Sequence, residues 1–169
     1  MNELIVKILA DVLVVPIVVI GVWALLMIPN NKKYHAYGRI LMAGLTAYLA
    51  AKLIGAVFQP ETMRPFEKLG VEAGASFLNN PGFPSDHVLF CVAISLAVWF
   101  ETRQIKTSII LIVLTVLVAV GRIVGLVHTP LDVIGGIAIA CMGIPWYLQG
   151  DRNMQIIAKS RKNRKKSVE

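Results

Sequence analysis

The stretch TSIILIVLTVLVAVGRIVGLVHTPLD, residues 107–132, carries no charge before Arg122 and then presents an arginine, a histidine and an aspartate close together. At about 1.5 Å per residue, such a run crosses a hydrocarbon core roughly 30 Å thick. It reads as a spanning helix over 107–127, a tight polar turn, and a further span over 130–148. Working outward, apolar runs at 4–28, 39–58 and 86–100 supply three more spans, the last of them short for a full crossing. The longest connection, 59–85, is rich in Gly, Pro, Asn and Glu. The fold class expected is an all-α, polytopic membrane helix bundle of about five transmembrane helices, with a partly helical extracytoplasmic connection.

Composition agrees. Of 169 residues, 56% are hydrophobic, the mean hydropathy is +0.68, and the apolar blocks are longer than the stripes of a soluble amphipathic helix. Residues 1–150 read as one integral-membrane domain and 151–169 as a basic cytoplasmic tail. The 4–28 run lacks a small-residue cleavage site, so it reads as a span rather than a cleaved leader. No internal repeat is visible. Cys91 and Cys141 lie within apolar runs and read as small buried hydrophobes, not a disulfide framework.

The net charge of +7 does not point to nucleic acid, because the cations fall in the tail and in short loops. The tail segment Lys159-Ser-Arg-Lys-Asn-Arg-Lys-Lys166 suits anchoring against anionic membrane lipids. Lys32, Lys33 and Arg39 in a 29–39 loop, Arg103 and Lys106 near 101–106, and the tail all fall on one side of a five-span bundle. Positive-inside bias makes that side cytoplasmic and places the 59–85 connection and the 128–130 turn outside. Two charges within spans, Asp11 and Lys52, sit at matching depths and are expected to pair between helices, with Lys7 as a local alternative for Asp11. His35 reads as a solvated residue in the cytoplasmic loop.

Two polar clusters at the outer ends of spans carry candidate chemistry. In Pro84-Ser85-Asp86-His87 the connection enters a helix, with Ser85 as N-cap and His87 in the first turn, where free N–H groups can receive an anion. An ordinary serine cap followed by an interfacial histidine is the plainer alternative. In the second cluster, four-residue spacing brings His128 near Asp132 if a helix starts at Pro130 with Thr129 as its cap. The carboxylate can take the proton of one imidazole nitrogen and leave the other as a nucleophile. Arg122 closes the preceding span at the same surface and can grip phosphate oxygens bidentately. Each residue alone would suit anchoring; as a set they suit phosphoryl transfer.

The order and spacing resemble the type 2 phosphatidic acid phosphatase superfamily of membrane lipid phosphatases, whose pattern is Lys-x6-Arg-Pro, Pro-Ser-Gly-His, then Ser-Arg-x5-His-x3-Asp. The matching positions are Arg64-Pro65, Pro84-Ser85-Asp86-His87, and Gly121-Arg122 followed by His128 and Asp132. Val57 stands where the family has lysine, Asp86 where it has glycine, and Gly121 where it has serine. The family usually has six spans. The Pro-Ser-Asp-His variant looks like the bacterial undecaprenyl-diphosphate phosphatases of this superfamily.

The resemblance implies that His128 attacks phosphorus, Asp132 orients its ring, and His87 protonates the leaving oxygen before activating water. Arg64, Arg122 and Ser85 would hold the phosphate oxygens, Asp86 would tune His87, and Lys52 or Lys68 would substitute for the lysine missing at Val57. It further implies no cofactor and no metal, a polyprenyl or phospholipid phosphate as substrate, and a multi-pass plasma-membrane enzyme of cell-wall lipid recycling. Phosphatidylglycerophosphate or phosphatidic acid as substrate, phosphate transfer to another lipid, and a non-catalytic lipid-binding or transport protein are the alternatives.

Overall fold

The computed structural model describes residues 2–78 and 82–149. The basic tail expected over 151–169 lies outside the described residues. Every regular element described is helical: α1 (Glu3–Lys7), a π-helical turn (Ile8–Val12), α2 (Val14–Leu26), α3 (Asn30–Val57), α4 (Pro65–Leu69), α5 (Asp86–Thr102), α6 (Ile105–Val124) and α7 (Pro130–Cys141). Among the described residues, four helical stretches are long and apolar enough to cross a membrane: Glu3–Leu26, Asn30–Val57, Ile105–Val124 and Pro130–Gln149. The chain is a helical bundle of the polytopic membrane type.

The short fifth helix, α5, is the centre of that bundle and packs against α2, α3, α6 and α7. Val88, Cys91 and Val98 on α5 are wholly buried, as are Ile17 of α2 and Leu111 and Val118 of α6. Side chains pointing away from this core, including Val15, Val19, Leu41, Leu53, Ile109 and Val113, are apolar and exposed. A surface of that kind is at home in hydrocarbon, where backbone groups must be satisfied inside each helix. Within the core, Ser95 of α5 and Thr115 of α6 stand 3.2 Å apart and each is within hydrogen-bond distance of a carbonyl of its own helix, so one hydroxyl donates across to the other while its partner donates to its own helix. Such paired hydroxyls are typical glue between membrane helices.

Two expectations need correction. The second span begins at Asn30 rather than 39, so Lys32, Lys33, His35 and Arg39 lie in the first turns of α3 and not in a loop. The Pro29 cap allows the helix to start there, and Arg39 is held by Glu101 through two bonds of 2.7 and 2.5 Å. Second, Asp11 and Lys52 do not pair. Asp11 faces α6, with Oδ1 2.9 Å from Arg122 Nη1, while Lys52 Nζ lies 3.9 Å from Asp86 Oδ1. Equal depth in the bilayer leaves rotation about each helix axis undetermined, and the π-helical turn at Ile8–Val12 alters that rotation for the first span.

The helices enter and leave so that the C-terminal end of α3, the N-terminal ends of α5 and α7, the C-terminal end of α6 and Asp11 all lie at one end of the bundle. Lys32, Lys33, Arg39, Arg103 and Lys106 lie at the other.

Candidate active site

The N-terminal ends of α5 and α7 are fastened together. Ser85 N–H donates to the carbonyl of Asp132 at 3.0 Å, and Gly136, one turn into α7, lets the two backbones approach. A Cβ there would sit 2.8 Å from the Ser85 carbonyl oxygen, so any larger residue would push α7 away. This junction brings the two sequence clusters, 84–87 and 128–132, to one place.

The start of α7 fixes Asp132. Thr129 Oγ1 accepts the Asp132 N–H at 3.2 Å and Asp132 Oδ2 accepts the Thr129 N–H at 2.7 Å, a reciprocal cap with Pro130 in the first helical position. The same oxygen lies 3.6 Å from His128 Nδ1, and both side chains are buried. That separation is just beyond a hydrogen bond, a looseness common in catalytic pairs before substrate arrives. His128 sits in the turn between α6 and α7, where its N–H and that of Val127 both bond the Arg122 carbonyl. Burial pulls its imidazole below the ordinary histidine value, and Asp132 opposes the shift. Above that lowered value the ring is neutral, the form in which a nitrogen lone pair is free to attack.

The long connection folds over this turn. Phe66 N–H bonds the Leu126 carbonyl and Gly74 N–H the Gly125 carbonyl, each at 3.0 Å. Arg64, which caps α4, is buried: Nη1 donates to the Val127 carbonyl at 2.6 Å and Nη2 to the Leu78 carbonyl at 3.1 Å. Burial lowers its pKa, while the carboxylates of Asp132, Glu67 and Asp86 act to keep it charged. Arg122 is 1% exposed, and Nη1 donates to Asp11 Oδ1 at 2.9 Å and to the Ser76 carbonyl at 2.7 Å.

Ser85 occupies the cap position of α5, but its side chain makes no capping bond. Its Oγ is instead one of the buried polar atoms without a hydrogen-bond partner among the described residues; Arg122 Nε and His128 Nδ1 are others. Buried polar groups are almost always satisfied, so Ser85 Oγ and Arg122 Nε are free to bond a water or a ligand. His87, half-buried in the first turn of α5, lies within reach of the charges of Arg122, Asp11, His128 and Asp86.

Beside the pair a cavity of about 410 Å³ is lined by Arg64, Thr129, Asp132, Gln59, Glu67 and Phe77. A smaller one, of about 240 Å³, lies between α3 and the 83–86 turn and is lined by Lys52, Gln59 and Asp86. Further along α3 and α5 an apolar crevice of about 320 Å³ is bordered by Ile40, Tyr48, Leu89, Phe90 and Ile94. Of the two candidate substitute cations, Lys52 faces Asp86 at the edge of the site, whereas Lys68 is exposed and bonded to Glu61. Among the described residues no group of three or more His, Cys, Asp or Glu is placed to hold a metal ion.

Two further residues contact the clusters without a sequence signal for it. For Asp11 the sequence points to Lys52 or Lys7, and the carboxylate pairs with Arg122 instead. Gln59 ties the end of α3 to the 83–85 segment, donating to the Phe83 carbonyl at 3.0 Å and accepting its N–H at 3.3 Å. A polar residue just beyond a spanning helix gives no sequence signal for that bond.

No curated protein and no solved structure matches the chain. The model of the PAP2 superfamily matches residues 33–154, most of the length and all the residues of the two clusters. With a polytopic helical bundle carrying both clusters at one end, the chain belongs to the PAP2 superfamily, a family of phosphatases.

Proposed function

We propose that the protein hydrolyses a lipid diphosphate, undecaprenyl diphosphate being the first candidate, to the lipid monophosphate and inorganic phosphate. The observation that carries this reading is the set of buried, unpartnered polar atoms, Ser85 Oγ, Arg122 Nε and His128 Nδ1, beside the His128–Asp132 pair. An oxyanion accepts from the first two, and Asp132 takes the third when the pair tightens around substrate.

In the proposed reaction, neutral His128 attacks the terminal phosphorus through Nε2. The P–N bond forms as the bond from phosphorus to the bridging oxygen breaks, and His87, charged once the negative oxygens of the diphosphate lie beside it, gives its proton to that oxygen. The lipid monophosphate leaves. His87, now neutral, takes a proton from water as the water oxygen attacks phosphorus; the P–N bond breaks, phosphate departs and both imidazoles return to their starting states. Arg64 and Arg122 carry the negative charge that spreads over the equatorial oxygens. No step uses a metal ion.

The lipid end is supported by the apolar crevice along α3 and α5, and by Lys52, which lines the cavity beside Asp86 and lies 5.4 Å from the ring of Tyr48 on the crevice border. The Pro-Ser-Asp-His element favours a polyprenyl diphosphate over a glycerophospholipid. An outward-facing site in the plasma membrane fits the gathering of Lys32, Lys33, Arg39, Arg103 and Lys106 at the opposite end.

Phosphate release from undecaprenyl diphosphate and from phosphatidylglycerophosphate, each measured with chelator present, tests the proposal. Chelator-resistant release that prefers the diphosphate, and that is abolished by His128→Ala in a protein still inserted and folded, is the expected result. Release by His128→Ala at the wild-type rate overturns the nucleophile, loss with chelator overturns the metal-free chemistry, and preference for the glycerophospholipid overturns the substrate. Binding of these lipids without release from any of them favours a non-catalytic carrier.

A further inference from the structure

Asp11 lies outside the residues matched by the family model, yet its carboxylate reaches into the site. Three observations converge on it. Oδ1 receives Arg122 Nη1 at 2.9 Å and Oδ2 receives the Ser76 N–H at 2.9 Å, so one carboxylate links the first span, the long connection and α6. Asp11 sits in a π-helical turn, an expanded turn that often marks functional positions in helices. Finally, that turn presses on α6 where the chain has Gly121, the residue before Arg122. A Cβ at 121 would lie 2.6 Å from the Ala10 nitrogen and 2.7 Å from the Leu9 carbonyl carbon. The serine that the superfamily pattern carries at this position would therefore collide with the backbone of the first span.

We infer that Asp11 is a positioning residue for phosphate transfer, acting through Arg122, and that Gly121 is what admits it. Asp11 and the Ser76 carbonyl both engage Nη1 of the guanidinium, which fixes its plane and leaves Nε as an uncommitted donor for a phosphate oxygen. The carboxylate also keeps a fully buried cation paired before substrate arrives, when an isolated buried charge would be costly. The room left at Gly121 is what lets the first span approach α6 closely enough for the Asp11 carboxylate to reach Arg122. This inference rests on the proposed role of Arg122 in holding phosphate.

The test is a kinetic cycle on the full-length protein in detergent, with undecaprenyl diphosphate and phosphatidic acid as probes. Asp11→Asn keeps the shape and removes the charge; Asp11→Glu keeps the charge on a longer arm; Arg122→Lys keeps a charge but loses the planar fork. The expected result is a fall in kcat on the order of 10- to 100-fold for Asp11→Asn, with KM within about threefold, since the loss falls on transition-state charge. Asp11→Glu should recover part of that loss. Combined with Arg122→Lys, Asp11→Asn should cost less than the product of the two single losses, the signature of residues acting as a unit.

Wild-type kcat in Asp11→Asn, equal loss in the Asn and Glu variants, or full multiplicativity with Arg122→Lys would overturn the inference while leaving the proposed reaction intact. Wild-type kinetics in Arg122→Lys would instead remove the arginine from the reaction, and the inference with it. Thermal unfolding of each variant separates these outcomes from misfolding. Should Asp11→Asn fail to fold, the Asp11→Glu and Arg122→Lys pair completes the same cycle.

Discussion

Arg64 Nη1 donates to the carbonyl of Val127 at 2.6 Å, so a cation of the long connection holds the residue immediately before His128. The guanidinium also reaches the Leu78 carbonyl and lies 5.4 Å from the Phe77 ring. A lysine ammonium cannot reproduce that planar set of directions. Arg64→Lys is therefore expected to lose on the order of 10²-fold in kcat/KM, nearly as much as Arg64→Ala. Phosphate-release kinetics check this, and restoration of most of the activity by lysine would reduce Arg64 to a simple charge.

The pH profile follows from His128. Because burial lowers its pKa, the ring is neutral at pH 7 and becomes protonated only below the ordinary value of about 6.5. Protonation removes the lone pair, so the acidic limb of kcat/KM should fall below pH 6.5 and not above it. Replacing Asp132 with Asn withdraws the carboxylate that opposes the shift, and the limb should move to still lower pH as kcat drops. An acidic limb centred above 6.5 in the wild type would contradict the buried, neutral nucleophile.

Thr129 offers a milder intervention at the same place. Thr129→Ala removes the acceptor for the Asp132 N–H while leaving the Asp132 carboxylate in reach of the backbone N–H of residue 129. The expected cost is about 1 kcal/mol of stability, that of a lost helix cap. Activity should fall several-fold, because the cap also sets the carboxylate's rotamer. Unfolding in mixed micelles together with phosphate release measures both, and unchanged kcat would detach the cap from the catalytic pair.

Ser95 and Thr115 provide a contrast far from the reacting groups. Each hydroxyl keeps its own-helix carbonyl when the other is removed. Ser95→Ala and Thr115→Val are expected to cost about 0.6 kcal/mol each, the ordinary scale for a hydrogen bond between membrane helices. Unfolding titrations check the value, and kcat should stay at the wild-type level.

Much of this site could be read from the chain because its signals are local. Thr129, Pro130 and Asp132 announce a helix start by composition alone, and the spacing from His128 to Asp132 is one helical turn. Arg64 and Ser85 needed the family pattern, since neither position has a local signal for what it faces. Asp11 was misjudged because bilayer depth is one coordinate and helix rotation is another; the π-helical turn that swings the carboxylate toward α6 has no recognisable sequence signature. The start of α3 was misjudged for a related reason: Asn30 through Arg39 look like a loop by polarity, yet beyond the hydrocarbon edge a helix needs no apolar face to continue. Gly121 looked like a loss, and only the proximity of Leu9 and Ala10 gives it a purpose.

The unmet hydrogen-bonding atoms at Ser85, Arg122 and His128 also bear on how the protein behaves in the laboratory. Ser85 Oγ and Arg122 Nε have no protein partner, so a small tetrahedral oxyanion that accepts from both binds the folded protein and not the unfolded chain. Inorganic phosphate or vanadate should therefore act as a folding ligand, raising the melting temperature in detergent as its concentration climbs and stabilising the fold by about 2.7 kcal/mol at a hundred times its dissociation constant. Preparations made in phosphate buffer should survive extraction better than those made without it.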